Sequence, residues 1–118
     1  MQMPEAGFPV EMVRGVPVVA APVEIDITCA DGLRAALLEA AALGHGTFVV
    51  DMSRTLFCDS SGLHALVAAH RQAQAEDGEV LLVICTSAVL RIFAITGMDR
   101  VISNFASLDE ALAQVSVA

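Results

Sequence analysis

Two short apolar runs constrain this chain more than any other feature: Thr47-Phe48-Val49-Val50-Asp51-Met52 and Val80-Leu81-Leu82-Val83-Ile84. The first is rich in β-branched residues and reads as a buried strand. The second is continuously apolar at strand length. A strand without polar alternation has both faces covered, the usual state in an α/β sheet. The covering layers are present in the same sequence at helical spacing. Leu33, Ala36, Leu37, Ala40 and Leu43 form one stripe, and Leu63, Leu66, Val67 and His70 begin a second that continues to Asp77-Gly78. Leu90, Phe93 and Ala94 make a third, and Ala111, Leu112 and Val115 a fourth.

The punctuation between these runs sets the order. Phe8 to Arg14 alternates weakly, Val16 to Ala21 is valine-rich, and Arg14-Gly15 between them predicts a hairpin. Pro17 either places the second run at an edge or stands as its first residue. Thr28-Cys29-Ala30-Asp31 has the spacing of a helix start, and Gly44 and Gly46 end that helix. Ser87 is placed to cap the third helix, which stops near Thr96-Gly97. Val101-Ile102 reads as a brief last strand, and Ser107-Leu108-Asp109-Glu110 as a capping box. The order is hairpin, helix, strand, helix, strand, helix, strand, helix. It argues for an α/β fold: a largely parallel or mixed β-sheet with an N-terminal hairpin and about four helices. At 118 residues the expectation is one domain over 1–118.

Charge and composition exclude several functions. Phosphate backbones are bound by Lys and Arg, of which there are six against a net charge of −8, so no direct nucleic-acid role is expected. Trp and Tyr, which would stack on bases, are missing. The acidic balance suits a basic protein partner. No apolar run reaches the roughly 18 residues of a spanning helix. Met1-Gln2-Met3-Pro4-Glu5-Ala6-Gly7 lacks the basic region and apolar stretch of a signal peptide. A cytoplasmic location without membrane insertion is therefore expected. Cys29, Cys58 and Cys85 cannot all pair within one chain, and none lies in a Cys-x-x-Cys pattern. They read as small buried apolar residues.

The segment most able to carry function is Asp59-Ser60-Ser61-Gly62, between the apolar Leu56-Phe57-Cys58 and the second helical stripe. At its simplest it is a helix cap, with Asp or Ser accepting from unpaired backbone N–H groups. Its place after a strand end puts the hydroxyls at the sheet rim, where sites of open α/β sheets gather. A phosphate there would meet the positive end of a helix while adding about −1.5 to −2 charges beside Asp59. Ser60 and His64 share one helical face. A hydrolase would also need an orienting acid and an oxyanion hole, and the Gly-x-Ser-x-Gly elbow is missing. His45, His64 and His70 do not have metal-ligand spacing, and His70 on an apolar stripe reads as a packed residue. Glu76-Asp77 with Glu79 reads as a solvated helix end.

Taken together, these residues resemble the sulfate-transporter and anti-sigma-factor-antagonist (STAS) domain family, from about Pro9 to Val115. The most specific part runs from Phe48-Val49-Val50-Asp51-Met52 through Leu56-Phe57-Cys58-Asp59-Ser60-Ser61-Gly62-Leu63. Ser87-Ala88-Val89-Leu90-Arg91-Ile92-Phe93 with Thr96-Gly97-Met98-Asp99, and Ser107-Leu108-Asp109-Glu110-Ala111-Leu112, agree with it. The resemblance implies a stand-alone anti-sigma factor antagonist that works in transcription regulation by partner switching and is not itself an enzyme. Its unphosphorylated form would bind an anti-sigma factor with serine kinase activity and release the sigma factor. Phosphorylation would end that binding, and a serine phosphatase would restore it. Carried over, Ser60 is the phospho-acceptor, with Ser61 a secondary candidate and Asp59, Gly62 and His64 on the partner surface. Glu24 and Asp26 match the Glu-x-Asp of the family's Gly-Glu-Leu-Asp segment, although Val23 stands in place of its glycine. His64 stands where the family often has a small or apolar residue. Protonated, it would offset part of a phosphate's charge and make the switch sensitive to pH. No cofactor is implied, since ATP and magnesium belong to the kinase. A homodimer remains open. The alternative is a scaffold or sensor module of the same fold that never cycles through phosphate, as a subunit of a larger signalling or transport assembly.

Overall fold

Strands buried on both faces organise the centre of the protein. In the computed structural model, which describes residues 8–115, the strands are β1 (Val10–Val13), β2 (Val16–Ala20), β3 (Glu24–Ile25), β4 (Phe48–Met52), β5 (Phe57–Cys58), β6 (Val80–Ile84) and β7 (Asn104–Phe105). The helices are α1 (Ala30–Leu43), α2 (Ser60–Ala75), α3 (Ser87–Thr96) and α4 (Leu108–Val115). The opening Met1-to-Gly7 stretch, read above for a targeting segment, lies outside the described residues. Five strands form one sheet in the order β1-β2-β4-β6-β7. β1 and β2 are the antiparallel hairpin, and the remaining pairs are parallel. β3 and β5 pair in parallel as a separate two-stranded ribbon.

Alternate residues of the central strands face opposite layers. Val19, Phe48, Val50, Met52, Val80, Leu82 and Ile84 join Leu33, Leu37, Leu66 and Phe93 of the first three helices. Val16, Val18, Val49, Leu81 and Val83 join Ala111 and Leu112 of α4 on the other face. Helices on both faces explain why β6 is apolar at every position. Burying a side chain of this size contributes about 1.5–3 kcal/mol. His70 is buried as expected, its Nδ1 accepting from the Val80 N–H at 3.3 Å.

Several local expectations are corrected. The valine-rich run is neither an edge strand nor opened by Pro17: β2 begins at Val16 and lies between β1 and β4. Pro17 is tolerated because it faces Met12 of the hairpin, one residue before the ladder with β4 begins at Val18. Thr28 does not cap α1, because its hydroxyl and N–H both donate to Asp26; Cys29 is the cap residue and makes no side-chain cap bond. Thr86, not Ser87, is the cap residue of α3. Val101-Ile102 is not the last strand. Gly97, in the left-handed region at φ 79°, ends α3, and a 3-10 turn over Met98–Arg100 takes the amides of Val101 and Ile102 onto the Met98 carbonyl. The strand forms two residues later, where Asn104 and Phe105 face Leu82 and Val83.

At α4, Glu110 N–H donates to Ser107 Oγ at 3.1 Å. The Glu110 carboxylate accepts from Ala106, one residue earlier than a full capping box uses. Of the cysteines, only Cys58 is buried. Cys29 is half-buried, and Cys85, the first residue beyond β6, is exposed with its thiol 3.1 Å from the Ala106 carbonyl.

Candidate functional site

After Met52 the chain leaves the main sheet and is re-anchored bond by bond. Thr55 N–H donates to the Met52 carbonyl at 3.0 Å. The amides of Leu56 and Phe57 donate to the Val23 carbonyl, and Asp59 N–H to the Ile25 carbonyl at 2.9 Å. These bonds hold Glu24 beside Phe57 and Ile25 beside Cys58. The fold thus places the Glu24–Asp26 segment next to Asp59-Ser60-Ser61-Gly62, which begins 33 residues after Asp26 in sequence. Val23, which departs from the glycine of the family pattern, supplies its backbone carbonyl to this pairing, a contact that any residue type can make.

Asp59 is the cap of α2. Its backbone is extended at φ −89°, ψ −175°, and its carboxylate accepts from the Gly62 N–H at 3.1 Å. Ser60 is the first residue of the helix and is exposed, while Ser61 is half-buried. Gly62 is buried, and a Cβ there would lie 2.5 Å from Ile25 Cγ2 and 2.8 Å from Cys58 Sγ. Only a glycine lets the first turn of α2 sit this close to the ribbon. His64 is exposed one turn beyond Ser60. No acidic residue occurs along α2 or α3. An anion on Ser60 would therefore meet a helix N-terminus whose capping carboxylate, Asp59, already faces a backbone donor.

The surrounding groups have distinct electrostatics. Asp26 is held below the ordinary carboxylate range, first by the Thr28 hydroxyl and then by the Thr28 N–H. It is thus an anion at neutral pH. Burial pushes the Cys58 thiol up to about 12, with smaller contributions from Asp59 and Cys29, so it remains a neutral packing group. Among the described residues, no group of three His, Cys, Asp or Glu side chains could hold a metal. No helix among them is long and apolar enough to cross a membrane.

Two features escaped the sequence reading. One is a set of exposed apolar side chains on or next to the β3–β5 ribbon: Val23, Ile27, Leu56 and Phe57, with Ile27 74% and Leu56 57% exposed. The last two belong to the apolar Leu56-Phe57-Cys58 run, of which only Cys58 turns inward. Exposed apolar groups rimmed by polar ones mark interaction surfaces. The other is Thr55, fully buried, whose hydroxyl donates to the Pro22 carbonyl at 2.8 Å and whose carbonyl accepts from Thr86 Oγ1 at 2.8 Å. A lone threonine in a loop carries no pattern that announces such bonds.

Comparison with known proteins places this geometry. A model of the STAS domain family matches residues 8–111. An anti-sigma factor antagonist from Mycobacterium paratuberculosis is similar with a TM-score of 0.82 and 32% identity, over 92% of this chain and 92% of that one. The anti-sigma factor antagonist SpoIIAA in its unphosphorylated form is similar with a TM-score of 0.73 and 25% identity, over 92% of this chain and 96% of that one. The Bacillus cell fate determinant SpoIIAA in the phosphorylated form is similar with a TM-score of 0.68 and 24% identity, over 92% and 99% respectively.

Proposed function

The chain belongs to the STAS domain family, and from that premise we propose that it is an anti-sigma factor antagonist, a single regulatory domain over 1–118. Unphosphorylated, it binds an anti-sigma factor with serine kinase activity and frees the sigma factor. Phosphorylation of Ser60 ends the binding, and a serine phosphatase restores it. The protein is a binding module and not an enzyme, and it works in the cytoplasm. The observation that carries this reading is Ser60 itself: exposed, first in α2, beside the capping Asp59, and bordered by exposed Leu56 and Phe57. SpoIIAA, similar in fold, exists in unphosphorylated and phosphorylated forms.

The switch is electrostatic and leaves the fold in place. The apolar side chains of the ribbon supply contact area, Glu24, Asp26, Asp59, Ser61 and His64 form its polar surroundings, and buried Gly62 seats the turn against the ribbon. A phosphate adds about −1.5 to −2 charges at the centre of that surface. Couplings of this kind run about 1–3 kcal/mol, or roughly 5–150-fold in affinity. The test is mass spectrometry of the protein incubated with candidate kinases and ATP, paired with binding to the same kinases. Phosphate is expected on Ser60; Ser60→Ala binds the kinase and Ser60→Asp loses it. Alanine at Glu24, Asp26 or His64 weakens binding in the same assay. Phosphate on no serine, or only on Ser87 or Thr86, would sink the reading.

A further inference from the structure

The hydroxyl of Thr86 is used unusually. A threonine at the cap of a helix ordinarily accepts from the second or third N–H of that helix. Thr86 is the cap residue of α3, yet its side chain makes no cap bond. Its Oγ1 donates instead to the Thr55 carbonyl at 2.8 Å. Thr55 is fully buried, and its own hydroxyl continues the chain to the Pro22 carbonyl at 2.8 Å. Three turns, those following β2, β4 and β6, are thereby joined through one buried residue.

Apart from this side-chain chain, the segment is held by backbone bonds to Met52, Val23 and Ile25, none of which reaches α3, and by buried Cys58. β5 is two residues long, pairs only with the two residues of β3, and stands outside the five-stranded sheet. Thr55 lies two residues before it and four before Asp59. On the other side of the bond, α3 exposes Leu90, Arg91 and Ile95 to solvent. The same hydroxyl that holds the Ser60 segment thus also fixes the start of a helix with a free face.

We infer that Thr86 and Thr55 are a coupling pair, through which a change of charge at Ser60 is transmitted to the start of α3, and contacts made on α3 act back on the Ser60 turn. Such coupling is reciprocal by necessity. A partner that touches α3 would bias how Ser60 is presented, and a phosphate on Ser60 would alter the α3 face as well as its own surroundings. Thr86 touches no phosphate and is a positioning residue. The inference rests on Ser60 as the modified residue, but its test does not need the kinase.

The test is amide hydrogen exchange, followed by NMR on the full chain, in the wild type, Thr86→Val and Thr86→Ser, each with and without Ser60→Asp. Thr86→Val keeps the side-chain shape and removes the donor. It should speed exchange at Leu56, Phe57 and Asp59 about fivefold, as expected for one lost hydrogen bond, while Thr86→Ser restores near wild-type rates. In the wild-type background Ser60→Asp should change exchange at Val89 to Phe93; in Thr86→Val that response should fall by at least half. Should valine's extra methyl group disturb α3, Thr86→Ala makes the same comparison. An α3 response to Ser60→Asp of equal size with and without the hydroxyl overturns the inference, as does a uniform acceleration across the chain. Failure to find phosphate on Ser60 would overturn the proposed function and leave this measurement intact, so the two failures are separable.

Discussion

Gly62 is the tightest residue of the site, and it reverses a common rule. In an exposed helix interior, Gly→Ala gains about 1 kcal/mol from propensity. Here the added methyl would lie 2.5 Å from Ile25 and 2.8 Å from Cys58, both buried. Overpacking of this kind costs about 1–3 kcal/mol, so strain outweighs propensity. Gly62→Ala is expected to lower stability by up to about 2 kcal/mol net, read from urea denaturation midpoints; a more stable variant would contradict the packing described. Residue by residue, the sequence made the Asp59 cap legible, because an acid before an apolar helical stripe has one common use. It did not separate Ser60 from Ser61, which differ only in exposure once the helix is built. Thr28 was misread because a local carboxylate, Asp26, competes for the same hydroxyl.

The elements that were legible are those whose own periodicity matches their burial. β4, β6 and the four helices carry enough apolar residues to define a face. β3, β5 and β7 have two residues each, too few for any period, and their pairing is decided by neighbours. Val101-Ile102 has better strand propensity than Asn104-Phe105, but the turn ending α3 consumes its amides. The contact between α2 and β6 yields a pH prediction. His70 is buried on α2, accepting from the Val80 N–H. Its pKa is lowered from 6.5 by burial, against smaller opposing pulls from Glu79 and a backbone bond with Val101. The unfolded chain therefore takes up this proton first as pH falls. The stabilisation is complete above about 6.5 and is lost as pH drops through the lower folded-state value. Urea midpoints should fall between pH 7.5 and 5.5. His70→Asn, which keeps an acceptor near Val80 but does not titrate, should flatten that slope. An equal slope in both proteins would assign the dependence elsewhere.

At the scale of the whole molecule, charge and fold are arranged separately. The net charge of −8 belongs to a chain whose α2 and α3 carry no acid. Glu24, Asp26 and Asp59 instead border the exposed apolar ribbon. Such a field acts mainly on the rate of encounter with a basic partner. Association with the proposed kinase partner is expected to slow about tenfold or more from 50 to 500 mM salt, with a smaller change in dissociation; stopped-flow kinetics would show it, and salt-independent association would exclude steering. The ribbon itself has a consequence for how such a protein can diversify. Because β3 and β5 hydrogen-bond to each other and stand apart from the five central strands, the surface proposed to meet partners and the sheet that keeps the chain folded draw on different residues. Substitutions at Val23, Ile27, Leu56 or Phe57 change what the surface fits while every strand of the main sheet keeps its register. A duplicated copy could acquire a new partner through a handful of side chains, with most of its stability margin untouched.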